Sequence, residues 1–223
     1  MKSEILNVDT ENGATTAYVA LPDDMSNETR AVVVIHEWWG LNDQIRAIAD
    51  RYAGEGFVAV APDLYFGTTA SDAAQASQMM HALELDEGVD TIRATMDAAR
   101  EKYGFSHFGI TGYCMGGTFA LEAACTLEGI SASAPFYGDI ASEDKLKNLS
   151  VPVVFVSGTR DEWISPEKVA GLEEIAEKYE LDVDSLKYDA DHAFSNSARP
   201  EVYNKEAAED AWAKVVGFFR DKL

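Results

Sequence analysis

Positive charge is scarce in this chain: eighteen Lys and Arg residues stand against thirty-nine Asp and Glu, a formal net charge of −21. A surface this negative repels phosphate backbones and anionic headgroups, which argues against nucleic acid or an anionic membrane as a partner. Cysteine is scarce too. The two present, Cys114 and Cys125, are too few for a disulfide framework and fit reduced thiols in a reducing compartment. No apolar run approaches the length of a membrane span, and no basic stretch leads into an apolar one near Met1, so a cytoplasmic location is expected. Repeats, low-complexity linkers, metal-like spacings of Cys and His, and glycine-rich phosphate loops are all missing. No cofactor and no metal are expected.

The charge imbalance carries its own consequence. Like charges destabilise the compact state in dilute buffer, whereas molar salt screens them beyond about 3 Å. The acidic surface therefore suggests a high-salt, halophilic cytoplasm.

What is present is enough apolar material for a sizeable core: 223 residues, 47% of them hydrophobic. That length suits one α/β domain spanning residues 1–223. Ala31 to Ile35 is a continuous, β-branched run, as expected of a strand buried on both faces of a parallel sheet. Phe57 to Ala61, Phe105 to Ile110 and Val151 to Val156 repeat it. Helical stretches intervene at Gln44 to Ala53, Glu87 to Tyr103 and Thr118 to Leu127. Thr15 to Leu21 alternates and predicts an antiparallel N-terminal hairpin. Pro166 to Tyr179 predicts a helix, Val183 to Tyr188 a late strand, and Ala207 to Phe219 a closing amphipathic helix. The order is that of a doubly wound, mostly parallel sheet flanked by helices, which binds ligands at the carboxyl ends of its strands.

The strand ends carry the chemistry. Gly112-Tyr113-Cys114-Met115-Gly116-Gly117 has the glycine frame of a nucleophile elbow, with cysteine where serine usually stands. An elbow holds its central residue in a strained turn between strand and helix. There the N–H groups and dipole of the helix favour a thiolate and the oxyanion of an attacked carbonyl. After the run ending at Val156, Ser157-Gly158-Thr159-Arg160-Asp161 delivers a carboxylate. After Tyr188, Asp189-Ala190-Asp191-His192 delivers an imidazole. Cys114, Asp161 and His192 thus follow the nucleophile, acid, histidine order of an α/β-hydrolase. In those roles His192 takes the thiol proton and Asp161 fixes the imidazole tautomer.

The first buried run ends in His36-Glu37-Trp38-Trp39-Gly40. Together with Pro62-Asp63-Leu64-Tyr65, the elbow, Gly158-Thr159-Arg160-Asp161 and His192-Ala193-Phe194, this segment resembles the dienelactone hydrolase family, from about Ala17 to the C-terminus. The resemblance implies an α/β-hydrolase fold and a cysteine-dependent ester or lactone hydrolase working through an acyl-cysteine. It implies that Glu37 interacts with the resting thiol and takes part in activating it, and that the backbone N–H groups of Trp38 and Met115 form the oxyanion hole. A buried carboxylate beside a thiol can hold its proton until substrate arrives. Strand alternation turns His36 to the opposite face, into a packing role.

The sequence departs from the family in one respect. Namesake members hold a substrate carboxylate with two arginines, yet residues 67–82 contain no arginine or lysine, and the second arginine falls near Asn196. Arg199 lies three residues further on. A neutral ester, thioester or lactone is the expected small-molecule partner. Trp39, Tyr65, Tyr137, Trp163, Phe194 and Arg199 are candidate substrate contacts, with Trp38 and Phe66 as further aromatic lining, and Met79 and Met80 are candidates for a flexible lid. The rival reading is a non-catalytic small-molecule-binding or redox-sensing protein on the same scaffold; a cysteine peptidase is a third.

Overall fold

Val32 and Val34 bury their side chains on one side of the sheet, and Ala31, Val33 and Ile35 on the other. A strand wrapped in this way needs apolar residues at every position, which is why it reads as an unbroken run. The computed structural model describes residues 2–26 and 30–223. Its elements in chain order are β1 (Lys2–Thr10), β2 (Gly13–Leu21), β3 (Ala31–Ile35), α1 (Asp43–Gly54), β4 (Val58–Pro62), α2 (Ala73–Ala82), α3 (Leu85–Tyr103), β5 (Phe108–Tyr113), α4 (Met115–Thr126), β6 (Ile130–Phe136), α5 (Glu143–Leu146), β7 (Val153–Gly158), α6 (Pro166–Tyr179), β8 (Val183–Tyr188) and α7 (Lys205–Lys222).

These strands form one eight-stranded sheet in the order β1-β2-β4-β3-β5-β6-β7-β8. The pairs β1–β2 and β2–β4 are antiparallel, and β3 through β8 run parallel. Helices α1 and α7 pack on one face, and α3, α4 and α6 on the other. This is the α/β-hydrolase fold. The chain winds outward from β3 to β4, then returns past β3 to β5, so the winding reverses between β3 and β5. Ligands bind at such a reversal, beyond the carboxyl ends of the strands. Pairing of Ile35 with Gly112 and of Tyr113 with Phe136 brings the loops after β3, β5 and β6 level at this point. No helix among the described residues is long and apolar enough to cross a membrane.

Four details differ from the sequence expectation. The strand expected over Phe105 to Ile110 runs instead from Phe108 to Tyr113, because Gly104 ends α3 in the left-handed region (φ +81°) and residues 105–107 make the link. The helix expected from Thr118 begins at Met115, directly behind the cysteine. Ile130–Phe136, rich in Ala and Ser, forms β6 between β5 and β7. Met79 and Met80, expected in a flexible lid, lie on α2 and pack against the cluster containing Leu64 and Tyr65.

Candidate active site

Cys114 occupies the junction of β5 and α4 with φ +53° and ψ −118°, a conformation non-glycine residues adopt only under strain. Its surroundings hold it there. The Cys114 N–H donates to Phe136 O (3.0 Å), and Cys114 O accepts from Gly117 N (2.8 Å) and Thr118 N (3.2 Å). The turn closes so tightly that a Cβ on Gly112 would overlap the carbonyl of Gly116, and one on Gly116 the carbonyls of Ile35 and His36. The glycines are thus a steric condition of the elbow. Burial, with the charge of Glu37 adding to it, pushes the thiol up to about 12, against the pull of the Met115 N–H. The resting side chain is a protonated thiol at neutral pH.

Asp161 and His192 are joined by a 2.7 Å hydrogen bond between Oδ2 and Nδ1. The second carboxylate oxygen, Oδ1, accepts from the N–H groups of Trp163 (2.8 Å) and Ile164 (2.9 Å). Burial favours the neutral acid, but the His192 bond and these backbone donors outweigh it and hold Asp161 below its ordinary range. An ionised Asp161 accepts a hydrogen bond from Nδ1–H and so keeps the proton on Nδ1, which leaves Nε2 with its lone pair free. That nitrogen is buried and has no partner among the described residues. The imidazole lies between two aromatic rings, Tyr137 at 5.3 Å and Trp163 at 4.8 Å between centroids. Arg160 ties the two loops together: its side chain pairs with Asp189 and Asp191, and its N–H donates to Ala190 O (3.0 Å).

Glu37 follows β3 and is 2% exposed. One carboxylate oxygen accepts from Asn196 Nδ2 at 2.5 Å, and the other has no partner among the described residues. Burial raises Glu37 to about 7, despite the Asn196 bond and the attraction of His192 and Arg199. The Asn196 amide cannot be turned around, because its oxygen accepts from Ala198 N at 3.0 Å. His36, fully buried, accepts at Nε2 from Leu64 N (3.2 Å), so its Nδ1 carries the proton and donates to Glu37 O (2.6 Å). This neutral bridge ties the loop after β3 to the loop after β4, a more specific job than packing.

The other residues singled out in the sequence divide by position. Trp38 and Trp39 are half-buried and in contact, with centroids 5.1 Å apart. Tyr65 donates to Met115 Sδ at 3.2 Å, and burial, more than the nearby Cys114, raises its phenol. Tyr137 and Phe194 are buried behind His192 and packed ring to ring, so neither offers surface to a ligand. Trp163 is exposed. Arg199 pairs with Glu201 at 2.8 Å while its charge is felt at both Glu37 and Cys114. The roles of Asn196 as donor to Glu37 and of Arg160 as loop tie were not visible in the sequence; the placement of Asn196 shortly after His192 was the only signal.

The model of the dienelactone hydrolase family matches residues 15–223. A protein of Aquifex aeolicus named "Putative carboxymethylenebutenolidase" is 35% identical over 204 residues, 86% of this chain and 88% of the relative. Protein usf of Aquifex pyrophilus is 37% identical over the same shares. The crystal structure of P91, a dienelactone hydrolase-like promiscuous phosphotriesterase from metagenomic libraries, superposes with a TM-score of 0.90 at 21% identity, covering 99% of this chain and 98% of P91.

Proposed function

The chain belongs to the dienelactone hydrolase family, and on that premise we propose that it hydrolyses a small, uncharged ester or lactone through an acyl-cysteine on Cys114. The observations that carry this reading are a cysteine strained into an elbow and an imidazole whose Nδ1 is bonded to Asp161 and whose Nε2 has no partner among the described residues.

The thiol gives up its proton as substrate enters, with the Glu37 carboxylate as acceptor. A carboxyl poised near 7 is suited to this, and transfer leaves a neutral acid beside a thiolate. Sγ attacks the carbonyl carbon, and the N–H groups of Trp38 and Met115 receive the developing oxyanion. The tetrahedral species collapses as the C–O bond breaks, and the departing oxygen takes up the proton held by Glu37, passed on through His192 Nε2, which returns Glu37 to its carboxylate. Water, losing a proton to His192 Nε2, then attacks the thioester; the acid is released and the thiol restored.

Neutrality of the substrate follows from the charges. Residues 67–82 contain no arginine or lysine, Asn196 is an amide, and Arg199 is already paired with Glu201.

The test is hydrolysis of short p-nitrophenyl esters and simple lactones in molar KCl by wild type, Cys114→Ala and iodoacetamide-treated protein, with mass spectrometry for acyl-Cys114. Turnover lost in both controls, together with a trapped adduct, supports the reading. Full activity in Cys114→Ala removes the cysteine mechanism. Stoichiometric sulfenate with no ester turnover would favour a redox sensor.

A further inference from the structure

Trp163 leaves 58% of its surface open to solvent, an unusual exposure for an indole. Its structural task does not explain the side chain. The Trp163 N–H holds Asp161, and any residue but proline could do that. The indole instead reaches over the outer side of His192 and lies edge to face with Trp38 (ring centroids 6.3 Å apart), which in turn contacts Trp39. Three indoles thus form a strip that ends on the imidazole.

We propose that this strip recognises the alcohol half of the ester and that the alcohol is a flat aromatic one, aryl or arylmethyl. The inference rests on the hydrolase reading above and narrows it. Protonation of the leaving oxygen requires that it come within about 3 Å of Nε2. The group attached to that oxygen must then lie beside the rings flanking His192. Of these, Tyr137 is buried, so Trp163 alone has a face to offer. An arene one or two bonds from the leaving oxygen can stack there, whereas a saturated ring of equal bulk gains contact area without the quadrupolar attraction. The cations near these loops are engaged, Arg160 by Asp189 and Asp191 and Arg199 by Glu201, which disfavours an anionic alcohol.

Benzyl acetate and cyclohexylmethyl acetate share an acyl group and nearly match in bulk and alcohol acidity, so their kcat/KM ratio isolates the flat ring. For wild type the ratio should favour benzyl by about 3- to 10-fold, and in Trp163→Leu it should fall to about 1. Any shift in His192 caused by the substitution acts on both esters and cancels in the ratio. A second pair, methyl phenylacetate and methyl cyclohexylacetate, places the ring on the acyl side, and its ratio should not depend on Trp163. Equal rates in wild type, a benzyl preference that survives Trp163→Leu, or a Trp163 dependence confined to the acyl pair overturns the proposal. Absence of turnover for all four esters, with no acyl-Cys114 adduct, removes the hydrolase reading itself and this one with it.

Discussion

The side chain of Asn196 donates to Glu37 Oε2 at 2.5 Å across 159 residues of sequence, and its own carbonyl is held by the Ala198 N–H. The carboxylate therefore has a neutral donor fixed in place, with no counter-ion in direct contact among the described residues. This stabilises the charged form far less than a bidentate arginine does, and burial wins, leaving Glu37 near 7.

The pH dependence of hydrolysis follows. If Glu37 accepts the thiol proton, kcat/KM rises with pH through about 7. Asn196→Leu removes a bond that favours the carboxylate, so the midpoint moves to higher pH. A pH–rate profile of the two proteins checks this. An unmoved midpoint would detach Asn196 from thiol activation.

Glu37→Gln should change stability in a pH-dependent way. The folded protein holds the Glu37 proton more tightly than the unfolded chain, from an ordinary 4.5 to about 7. Stabilisation from that proton is complete below about 4.5 and lost as pH rises through about 7, a swing of about 3 kcal/mol. Glutamine cannot ionise, so relative to wild type the variant should gain about that much between pH 4 and pH 9. Denaturant melts at both pH values provide the comparison. The same substitution removes a charge that opposes the thiolate, so iodoacetamide should label Cys114 faster at pH 8.

Asp161→Asn tests the tautomer. The amide oxygen can still accept from Trp163 and Ile164, but its NH2 then faces His192 Nδ1 and forces the proton onto Nε2. The acceptor becomes a donor. A fall in kcat of about 10²- to 10⁴-fold with little change in melting temperature is expected. A loss of less than about threefold would show that the tautomer does not limit turnover.

Salt should stabilise the protein. With a formal charge of −21, self-repulsion is relieved as KCl rises, and the midpoint of thermal unfolding should climb between low and molar KCl. A flat or falling curve would count against adaptation to a saline interior.

The parts of the molecule legible in the sequence were those with local physical causes. A strand buried on both faces demands an unbroken apolar run, as at Ala31–Ile35, and the crowding around Gly112 and Gly116 leaves a glycine frame. Strand β6 was illegible because its Ala and Ser residues are selected by close approach of its neighbours: the Ser133 hydroxyl bonds Ala120 O, and the Ala134 carbonyl accepts from Thr111. Contacts between distant segments left little trace either. Nothing in Ser195-Asn196-Ser197 announces that one amide meets Glu37. The aromatic residues near His192 could be named but not sorted, because composition does not tell whether a ring such as Tyr137 props the imidazole from behind or, like Trp163, covers it from outside.

Glu37, Cys114, Asp161 and His192 stand beyond the ends of β3, β5, β7 and β8. Four segments drawn from most of the chain must dock side by side before the chemistry exists, and parallel neighbours are slow to find each other because each pairing closes a long loop. On the proposed mechanism, a partly folded chain would carry the thiol without its acid, base or oxyanion donors. Regained activity after denaturation is therefore a clock for completion of the whole sheet, and it should lag the return of helical signal.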